Sequence, residues 1–384
     1  MKKVRSAMSA KDGQARFKPR DFVSVPRFLL GVCFLFAAAA FAQRPANTFA
    51  TFDVTGAGRA YQQGTVASGI NTAGVIAGYY YDALDVAHGF VRTAAGAITT
   101  FDAVGAGTGA NQGTFAIGIN TGGKIAGYYV DAGNASHGFV RTAAGVITAF
   151  NVTGAGAGAN QGTFAAGINT GGRIAGYSVD GTNVSHGFVR TAAGVITAFN
   201  VTGAGTGANQ GTFAASIATG GTIAGYSIDG SNVNHGFVRT SAGVVTVFNV
   251  SSAGTDAFQG TFVGGINTAG TITGYSISGS NVVSGFVRTS AGVITTFAAS
   301  GAGTGTVANA INTAGTIAGF YYDTSLAFHG FMRTSSGTIT TLDVPGAGTG
   351  EGSGTVANGI NTAGDIVGYF LADNGPYHGF LLTP

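Results

Sequence analysis

Charged residues are scarce in this sequence, and tryptophan is absent. Only 9% of the 384 residues are Asp, Glu, Lys or Arg, and the chain has six prolines and one cysteine, Cys33. A single cysteine excludes a framework of intramolecular disulfides. The low charge does not indicate disorder, because 45% of the residues are hydrophobic and disordered chains combine low hydrophobicity with high net charge. Glycine is abundant instead, at 68 residues.

The first 42 residues are typical of a targeting segment. Residues 1–27 carry eight Lys or Arg and two Asp, and the apolar run from Phe28 to Ala42 ends in Ala-Phe-Ala. A basic start, a short apolar run and an A-x-A end predict a secretory signal peptide cleaved after Ala42. The run is too short to span a bilayer comfortably. We therefore expect a protein that is secreted (extracellular or periplasmic) or at the cell surface, with no transmembrane segment after signal removal.

Removal of the signal reverses the net charge. The whole chain has 18 basic and 15 acidic residues; eight basic and two acidic ones precede residue 43, which leaves 10 and 13. A mature chain with a net charge of −3 is not expected to bind nucleic acid. Cys33 is also removed, so no thiol or disulfide chemistry is expected. We expect a monomer that needs no cofactor.

A tandem repeat is marked by the triplet His-Gly-Phe. Successive copies lie 49 residues apart, except for one interval of 45, and Ser284-Gly285-Phe286 takes the place of one copy. A period of 20–50 residues is the signature of a solenoid or a propeller. The histidines of the triplet are His88, His137, His186, His235, His329 and His378.

Each repeat predicts four β-strands. In one repeat, residues 114–120, 124–131, 137–142 and 146–152 are β-branched and aromatic runs separated by turns rich in Gly and Asn. Four antiparallel strands in 40–50 residues make one propeller blade. The sequence therefore predicts an all-β, seven-bladed β-propeller of four-stranded blades in residues 43–384, with a β-solenoid as the alternative.

The two ends of the mature chain complement each other. The last repeat stops after its third strand, at His378–Pro384, and Thr48–Val54 resembles the fourth strand that this repeat lacks. We expect the N-terminal strand to complete the last blade and close the ring. A linear solenoid would need capping repeats instead.

Three motifs recur along Thr48–Pro384: Ile-Asn-Thr-x-Gly-x-Ile-x-Gly-Tyr, His-Gly-Phe-x-Arg and Gly-x-Ile-Thr. This pattern resembles a bacterial family of extracellular repeats named for its His-Ala-Phe triplet (HAF), although Gly replaces the Ala throughout. The resemblance implies export and a repeated β-architecture, and it implies no established activity.

Aspartates lie six residues before five of the histidines. If the loop between Asp131 and His137 is a hairpin, the two residues face each other across it. We predict structural pairs, because a catalytic histidine is oriented once per site. No metal site is expected, since the slots lie on different blades, too far apart to share an ion. The predicted pairs are Asp82–His88, Asp131–His137, Asp180–His186, Asp229–His235 and Asp323–His329.

Six arginines occupy one slot, four residues after the histidine position. The sequence predicts that each guanidinium stacks on a tyrosine such as Tyr128 or pairs with a neighbouring blade. The alternative is a ring of cations that binds an acidic polysaccharide. The arginines are Arg92, Arg141, Arg190, Arg239, Arg288 and Arg333.

Departures from the repeat gather in the links between blades. A polar rim that is rich in amides and has a few aromatic residues suits a carbohydrate or peptide ligand. The opposite face has short Ala-Ala-Gly turns with few side chains that could contact a ligand. We therefore expect any ligand-binding site on the link side and at the channel mouth. The ligand-binding candidates are Arg59, Tyr61, Gln112, Gln161, Gln210, Asp256, Phe258 and Glu351.

Three functions stay open at this point. The leading interpretation is a non-enzymatic secreted or cell-surface module that binds a glycan or an extracellular protein. The first alternative is a hydrolase or lyase of an extracellular polysaccharide, with Asp256 and Glu351 as the carboxylate pair that such chemistry requires. These two acids lie two blades apart, which argues against catalysis. The second alternative is a passive structural protein of the envelope.

Overall fold

The computed structural model describes residues 48–384, and all regular secondary structure in that part of the chain is β-strand. The expected all-β class is therefore confirmed. The predicted signal peptide, residues 1–42, lies outside the described residues. Within residues 48–384 there is no helix that could cross a membrane.

The 28 strands pair in seven antiparallel runs of four, here called modules 1 to 7. The first strands are β2 (Gly64–Ile70), β6 (Gly113–Ile119), β10 (Gly162–Ile168), β14 (Gly211–Ile217), β18 (Gly260–Ile266), β22 (Gly305–Ile311) and β26 (Gly354–Ile360). The second strands are β3 (Ile76–Tyr81), β7 (Ile125–Val130), β11 (Ile174–Val179), β15 (Ile223–Ile228), β19 (Ile272–Ile277), β23 (Ile317–Tyr322) and β27 (Ile366–Leu371).

The outer half of each module contains its third and fourth strands. The third strands are β4 (Ala87–Arg92), β8 (Ser136–Arg141), β12 (Ser185–Arg190), β16 (Asn234–Arg239), β20 (Val283–Arg288), β24 (Phe328–Arg333) and β28 (Tyr377–Thr383). The fourth strands are β5 (Ile98–Phe101), β9 (Ile147–Phe150), β13 (Ile196–Phe199), β17 (Val245–Phe248), β21 (Ile294–Phe297), β25 (Ile339–Leu342) and, for module 7, β1 (Thr48–Phe52).

Neighbouring modules meet where the third strand of one begins beside the first strand of the next. Ser136 of module 2 pairs in parallel with Gly162 of module 3. The same pairing joins Tyr377 of module 7 to Gly64 of module 1. The modules therefore form a closed ring and not an open solenoid.

The N-terminal strand β1 pairs with the C-terminal strand β28. The register runs antiparallel from Thr48 opposite Thr383 to Phe52 opposite Gly379. The ring of Phe49 packs edge-on against that of Phe380, with 5.9 Å between centroids. The open edge of β28 is thus covered by β1, the first strand of the described residues, as the complementary ends predicted.

The core of each module is built from the repeated motifs. In module 2, Ile125 at the start of the second strand and Phe139 of the His-Gly-Phe triplet are fully buried. Gly127 lies between them, and a Cβ there would come within 2.9 Å of the Phe139 ring and collide with the carbonyl of Phe115. The glycine of Ile-x-Gly-Tyr is therefore required by close packing.

The repeated arginines join neighbouring modules, but not through tyrosine. The guanidinium of Arg141 lies 4.7 Å from the ring centroid of Phe101, on the fourth strand of the preceding module. Stacking on Tyr128 is wrong, because the β7–β8 register places Tyr128 opposite Gly138 and Arg141 opposite Ile125. The Nε atoms of all six arginines are buried without a hydrogen-bond partner, which indicates that ring contact is their main role.

A ladder of asparagines links the turns between first and second strands. Asn71 donates from Nδ2 to the carbonyl of Asn120 at 3.1 Å, and Asn361 donates to Asn71 at 3.2 Å across the closure. Each Oδ1 also accepts backbone N–H groups of its own turn, as Asn120 does from Lys124 at 2.9 Å. Module 4 has Ala218 in this slot, so its turn lacks these side-chain bonds.

The ring has two distinct faces. The link face contains the links between modules and the loops between second and third strands, such as residues 102–112 and 131–135. The turn face contains the two short turns of each module, such as residues 120–124 and 142–146. Each residue of the repeat therefore has a defined face, and departures from the repeat can be placed on one or the other.

Candidate functional site

Two aromatic side chains project from the link face. Tyr61, in the link to module 1, is 49% exposed, and Phe258, in the link to module 5, is 62% exposed. The Tyr61 hydroxyl reaches towards module 7, 3.5 Å from the position that a Cβ would take on Gly352. Tyr61 and Glu351 therefore lie on adjoining links. The structure places both aromatic candidates where a ligand could contact them.

The backbone of Phe258 is left-handed, with φ of 69°. Equivalent positions in the other long links are also left-handed: Gln62, Asn111, Asn160 and Asn209 have φ of 63–65°, and Gly352 has φ of 76°. The conformation is imposed by the link, because the N–H of Phe258 donates to the carbonyl of Asn232 at 2.7 Å. Asparagine tolerates this region and a bulky aromatic residue does not, so Phe258 is held in a strained conformation.

The predicted amides Gln112, Gln161 and Gln210 are engaged within the rim. Gln112 accepts a hydrogen bond from the N–H of Gly109 at 2.9 Å and donates to Asn134 Oδ1 at 3.0 Å. Gln161 and Gln210 make the equivalent bonds to Asn183 and Asn232 at 3.0 and 3.1 Å. These bonds give the three amides a structural role. Their part in ligand binding stays a prediction.

The link to module 6 is shorter than the others. In that link the N–H of Ala299 reaches the hydroxyl of Thr306 across seven residues, whereas the same bond from Val250 to Thr261 spans 11. The four missing positions correspond to residues 256–259 of the link to module 5, which include Phe258. The rim is therefore four residues shorter between Phe258, in the link to module 5, and Glu351, in the link to module 7.

The carboxylate candidates Asp256 and Glu351 are not brought together. Asp256 lies in the link to module 5 and Glu351 in the link to module 7, so the whole of module 6 separates them. Arg59 is exposed in the link to module 1. Among residues 48–384 no group of three or more His, Cys, Asp or Glu could hold a metal ion.

The predicted aspartate–histidine pairs lie on the link face. Nε2 of His137 is 3.0 Å from Asp131, and the equivalent distances are 3.0 Å for Asp180–His186, 3.1 Å for Asp229–His235 and 3.4 Å for Asp323–His329. Asp82 and His88 are farther apart, at 3.6 Å. Five copies of one arrangement, each on a separate module, fit a structural role better than a single reaction centre.

Sequence reasoning missed the second partner of each histidine. Nδ1 of His137 is 3.0 Å from Asn151 Oδ1, at the end of the fourth strand. Asp102 takes that place for His88, Asp343 for His329 and Asp53 for His378. For five of the six histidines the partner lies 14 residues later in the sequence, but only the pairing of third and fourth strands shows that the two residues are in contact.

These contacts shift the pKa values of the partners. The hydrogen bond from His137 is the main cause that lowers the pKa of the Asp131 carboxyl; burial opposes it, and the N–H groups of Ala135 and Gly133 lower the pKa further. Burial lowers the pKa of His329, but hydrogen bonds and charge from Asp343 and Asp323 outweigh it, so that pKa lies above its usual value. Ionised carboxylates thus stabilise the loop between second and third strands in the five modules that have the Asp–His pair.

The tyrosines of the second strands are unsuited to acid–base chemistry. Tyr128 stacks on Phe115 at 5.0 Å and packs edge-on against Phe164 at 5.1 Å, within a ladder of buried rings that runs between modules. Burial raises the pKa of Tyr226 to about 12. The ladder therefore stabilises contacts between modules.

The ring axis carries a cavity of about 250 Å³ lined by the first strands of all seven modules. Its polar lining includes Asn309 and Asn358, but each already donates to a neighbouring carbonyl, of Ala357 at 2.9 Å and of Ala67 at 3.0 Å. The rest of the wall is isoleucine side chains, small residues and backbone, so the cavity offers few free polar groups for recognition at the channel mouth.

Known structures share this fold. A virginiamycin B lyase from Staphylococcus aureus matches with a TM-score of 0.56 at 13% identity, over 88% of this chain and 99% of that chain. The BP39L lectin from Burkholderia pseudomallei matches with a TM-score of 0.54 at 9% identity, over 83% of this chain and 96% of that chain. At such identities the likeness shows the fold alone, which is propeller-type. No protein-family model matches the sequence, and no curated protein matches it.

Proposed function

We propose that residues 48–384 form a seven-bladed β-propeller that binds a glycan on its link face without catalysis. Modules 1 to 7 are the blades, and β1 supplies the outer strand of the seventh. The pairing of β1 with β28 and the closure at Gly64 support this architecture. We also propose that the protein acts after export, secreted or at the cell surface, as a relative of the HAF repeats; the signal-like N-terminus and the repeat motifs support this.

The exposed ring of Phe258 is the observation that carries the proposal. The repeat uses Asn or Gln at four equivalent positions, so the fold itself has no need of phenylalanine there. Strained residues cluster at functional sites, and aromatic residues are enriched in interfaces and ligand sites. A ring held in solvent by a strained backbone is best explained by contact with a ligand.

The charge of the link face restricts the ligand. Twelve of the 13 Asp and Glu residues in positions 48–384 lie on this face, with Arg59 as its one Lys or Arg. Such a surface repels acidic polymers. A neutral glycan suits it, because hydroxyl groups can donate to carboxylates while the apolar face of a sugar covers an aromatic ring. The shortened part of the rim between Phe258 and Glu351 is the proposed glycan-binding site.

The test is a neutral-glycan array with protein that lacks residues 1–42. Phe258→Asn introduces the residue of modules 2 to 4 and should lower affinity for any bound glycan at least about tenfold, since loss of a buried aromatic contact at a binding centre costs about 2 kcal/mol or more. Tyr61→Ala introduces the residue found at position 110 and should weaken binding less. Val146→Thr on the turn face, which introduces the residue found at the equivalent Thr338, is the matched control and should change nothing.

Three results would overturn the proposal. If Phe258→Asn and Tyr61→Ala both keep the affinity of the parent protein, the link face is not the site. If a polysaccharide is cleaved, and cleavage disappears with Asp256→Asn or Glu351→Gln alone, the protein is an enzyme. Absence of binding to every neutral glycan would favour the passive structural alternative.

A further inference from the structure

The two faces of the ring carry opposite charge. Of the nine Lys and Arg residues in positions 48–384, eight lie on the turn face, together with a single acid, Asp365. The link face has the other twelve acids. With histidine neutral, the described faces carry net charges of +7 and −11. A chain with a small net charge is thus strongly polarised along the ring axis, and each face attracts a different partner.

Two of the cations on the turn face do not belong to the arginine slot. Lys124 and Arg173 occupy the same turn position in neighbouring modules, where modules 4 to 6 have Thr222, Thr271 and Thr316. Both residues are exposed. The six repeated arginines, in contrast, have a buried Nε and lie over phenylalanine rings. Packing contacts therefore do not explain why cations occupy positions 124 and 173.

Both irregular side chains reach across a module boundary. Nζ of Lys124 is 3.7 Å from the position that a Cβ would take on Gly172, and Nη1 of Arg173 is 2.8 Å from the same position on Gly221. Each cation thus lies over the turn of the next module. Glycine at both places leaves room for the cationic group to lie close to the backbone.

A notch opens beside Arg173, between the turns of modules 3 and 4. Its volume is about 670 Å³, within the range of small-molecule sites. Arg173 lines it together with the amide-bearing Asn169 and the hydroxyl-bearing Thr191, Thr219 and Ser241. The sequence predicted that the turn face has few side chains that could contact a ligand, and this notch differs from that expectation. The difference arises because turns from two modules form the walls.

The replacement at Ala218 affects one wall of the notch. Asn169 donates to the carbonyls of both Ala218 and Thr219, at 3.0 and 3.2 Å. Ala218 cannot provide the Oδ1 acceptor that ties the turn in the other modules, as Asn169 does for the N–H of Arg173 at 2.9 Å. The turn of module 4 is therefore held by fewer bonds than its neighbours, and the notch has one adaptable wall.

We infer that the turn face binds an acidic polysaccharide, with one anionic group of the polymer seated in the notch at Arg173. The guanidinium would pair with a carboxylate or sulfate, the hydroxyl groups of Thr191 and Ser241 would donate to the sugar, and Lys124 would meet the next charge along the chain. An anionic bilayer fits less well, because a flat membrane cannot enter a concave notch lined by hydroxyl groups. This site is independent of the glycan site on the link face.

The probe is polygalacturonate, compared with neutral dextran and with vesicles of anionic lipid, using protein without residues 1–42. Parent protein should bind polygalacturonate, more weakly at high salt, and should not bind dextran at this face. Arg173→Thr, which introduces the residue of modules 4 to 6, should lower the affinity about tenfold, because charge-assisted hydrogen bonds are lost. Dextran sulfate in place of polygalacturonate distinguishes a sulfate from a carboxylate.

Two further variants separate the notch from general charge on the face. Arg173→Lys keeps a cation at the site and should keep most of the affinity. Arg173→Thr combined with Thr271→Arg keeps the charge of the face but moves the guanidinium two modules away, and it should bind as weakly as Arg173→Thr alone. Lys124→Val introduces the residue found at the equivalent Val75 and should lower the affinity for polygalacturonate less than Arg173→Thr does. If Arg173→Thr folds poorly, Lys124→Val tests the same site.

The inference fails if the relocated arginine restores the affinity of the parent, since diffuse charge would then suffice. It also fails if anionic vesicles are bound and acidic polysaccharides are not. Glycan binding through Phe258 on the link face should be unchanged in Arg173→Thr, so the two sites can fail separately.

Discussion

Replacement of Phe258 by asparagine tests stability and the proposed function together. The φ of 69° costs an ordinary L-residue about 1–2 kcal/mol, whereas asparagine adopts it readily. The ring is 62% exposed, so about a third of the roughly 1.5–3 kcal/mol available from full burial is lost with it. The backbone effect is the larger of the two. We expect Phe258→Asn to stabilise the protein by about 0.5–1 kcal/mol.

Phe258→Ala separates the two effects. Alanine loses the ring but keeps the strained backbone, so this variant should be less stable than the parent by about 0.5–1 kcal/mol. The two variants should therefore differ by roughly 1–2 kcal/mol in the free energy of unfolding, which urea denaturation resolves. The reverse change, Asn209→Phe in module 4, should lower the free energy of unfolding by about 0.5–1 kcal/mol, which is the gain expected for Phe258→Asn. Both variants at position 258 should lose glycan affinity.

Equal stability of Phe258→Asn and Phe258→Ala would refute the argument from backbone strain. A variant that is both less stable than the parent and still able to bind glycan would show that Phe258 is a packing residue. Gain of stability with loss of binding is the combination expected of a residue selected for function.

Three other predictions concern the ring itself. Ala218→Asn should stabilise the protein by about 1–2 kcal/mol, because the new amide completes the asparagine ladder; no gain in urea denaturation would show that the turn of module 4 cannot accept it. Deletion of residues 43–54 should lower stability by several kcal/mol, since module 7 loses its fourth strand, and melting within a degree or two of the parent would contradict closure by β1. Asp131 has a folded-state pKa below its unfolded value, so its contribution is present above about pH 4 and is lost as the pH falls through the folded-state pKa. Asp131→Asn should therefore lose less stability between about pH 5 and pH 3 than the parent does, and a double-mutant cycle with His137→Ala should be non-additive if the pair interacts.

The strands could be predicted closely from the sequence. The predicted runs 114–120, 124–131, 137–142 and 146–152 correspond to β6, β7, β8 and β9, whose bounds differ by one or two residues. The reason is that strand alternation and turn chemistry are local properties, and seven copies of the pattern remove the ambiguity of a single one. Complementary ends, Thr48–Val54 and His378–Pro384, likewise indicated the pairing of β1 with β28.

Contacts between modules could not be predicted in the same way. Arg141 was expected to stack on Tyr128 or to pair with a neighbouring blade. It lies over Phe101 of the preceding module, 40 residues earlier in the chain, because strand register decides which end of a strand a side chain reaches. The second partner of His137, Asn151, required the pairing of β8 with β9 to become visible.

The features of the candidate sites also fall into two groups: those that follow from local sequence pattern and those that depend on packing between modules. The repeat, the strand order, the closure and the residues that break the symmetry could all be predicted from the sequence, since they depend on local pattern and on comparison between copies. The strain and exposure of Phe258 and the notch that Arg173 lines became visible in the folded ring, as did the separation of Asp256 from Glu351. Those properties depend on how one module is placed against the next, and side-chain packing across such boundaries has no local signature in sequence.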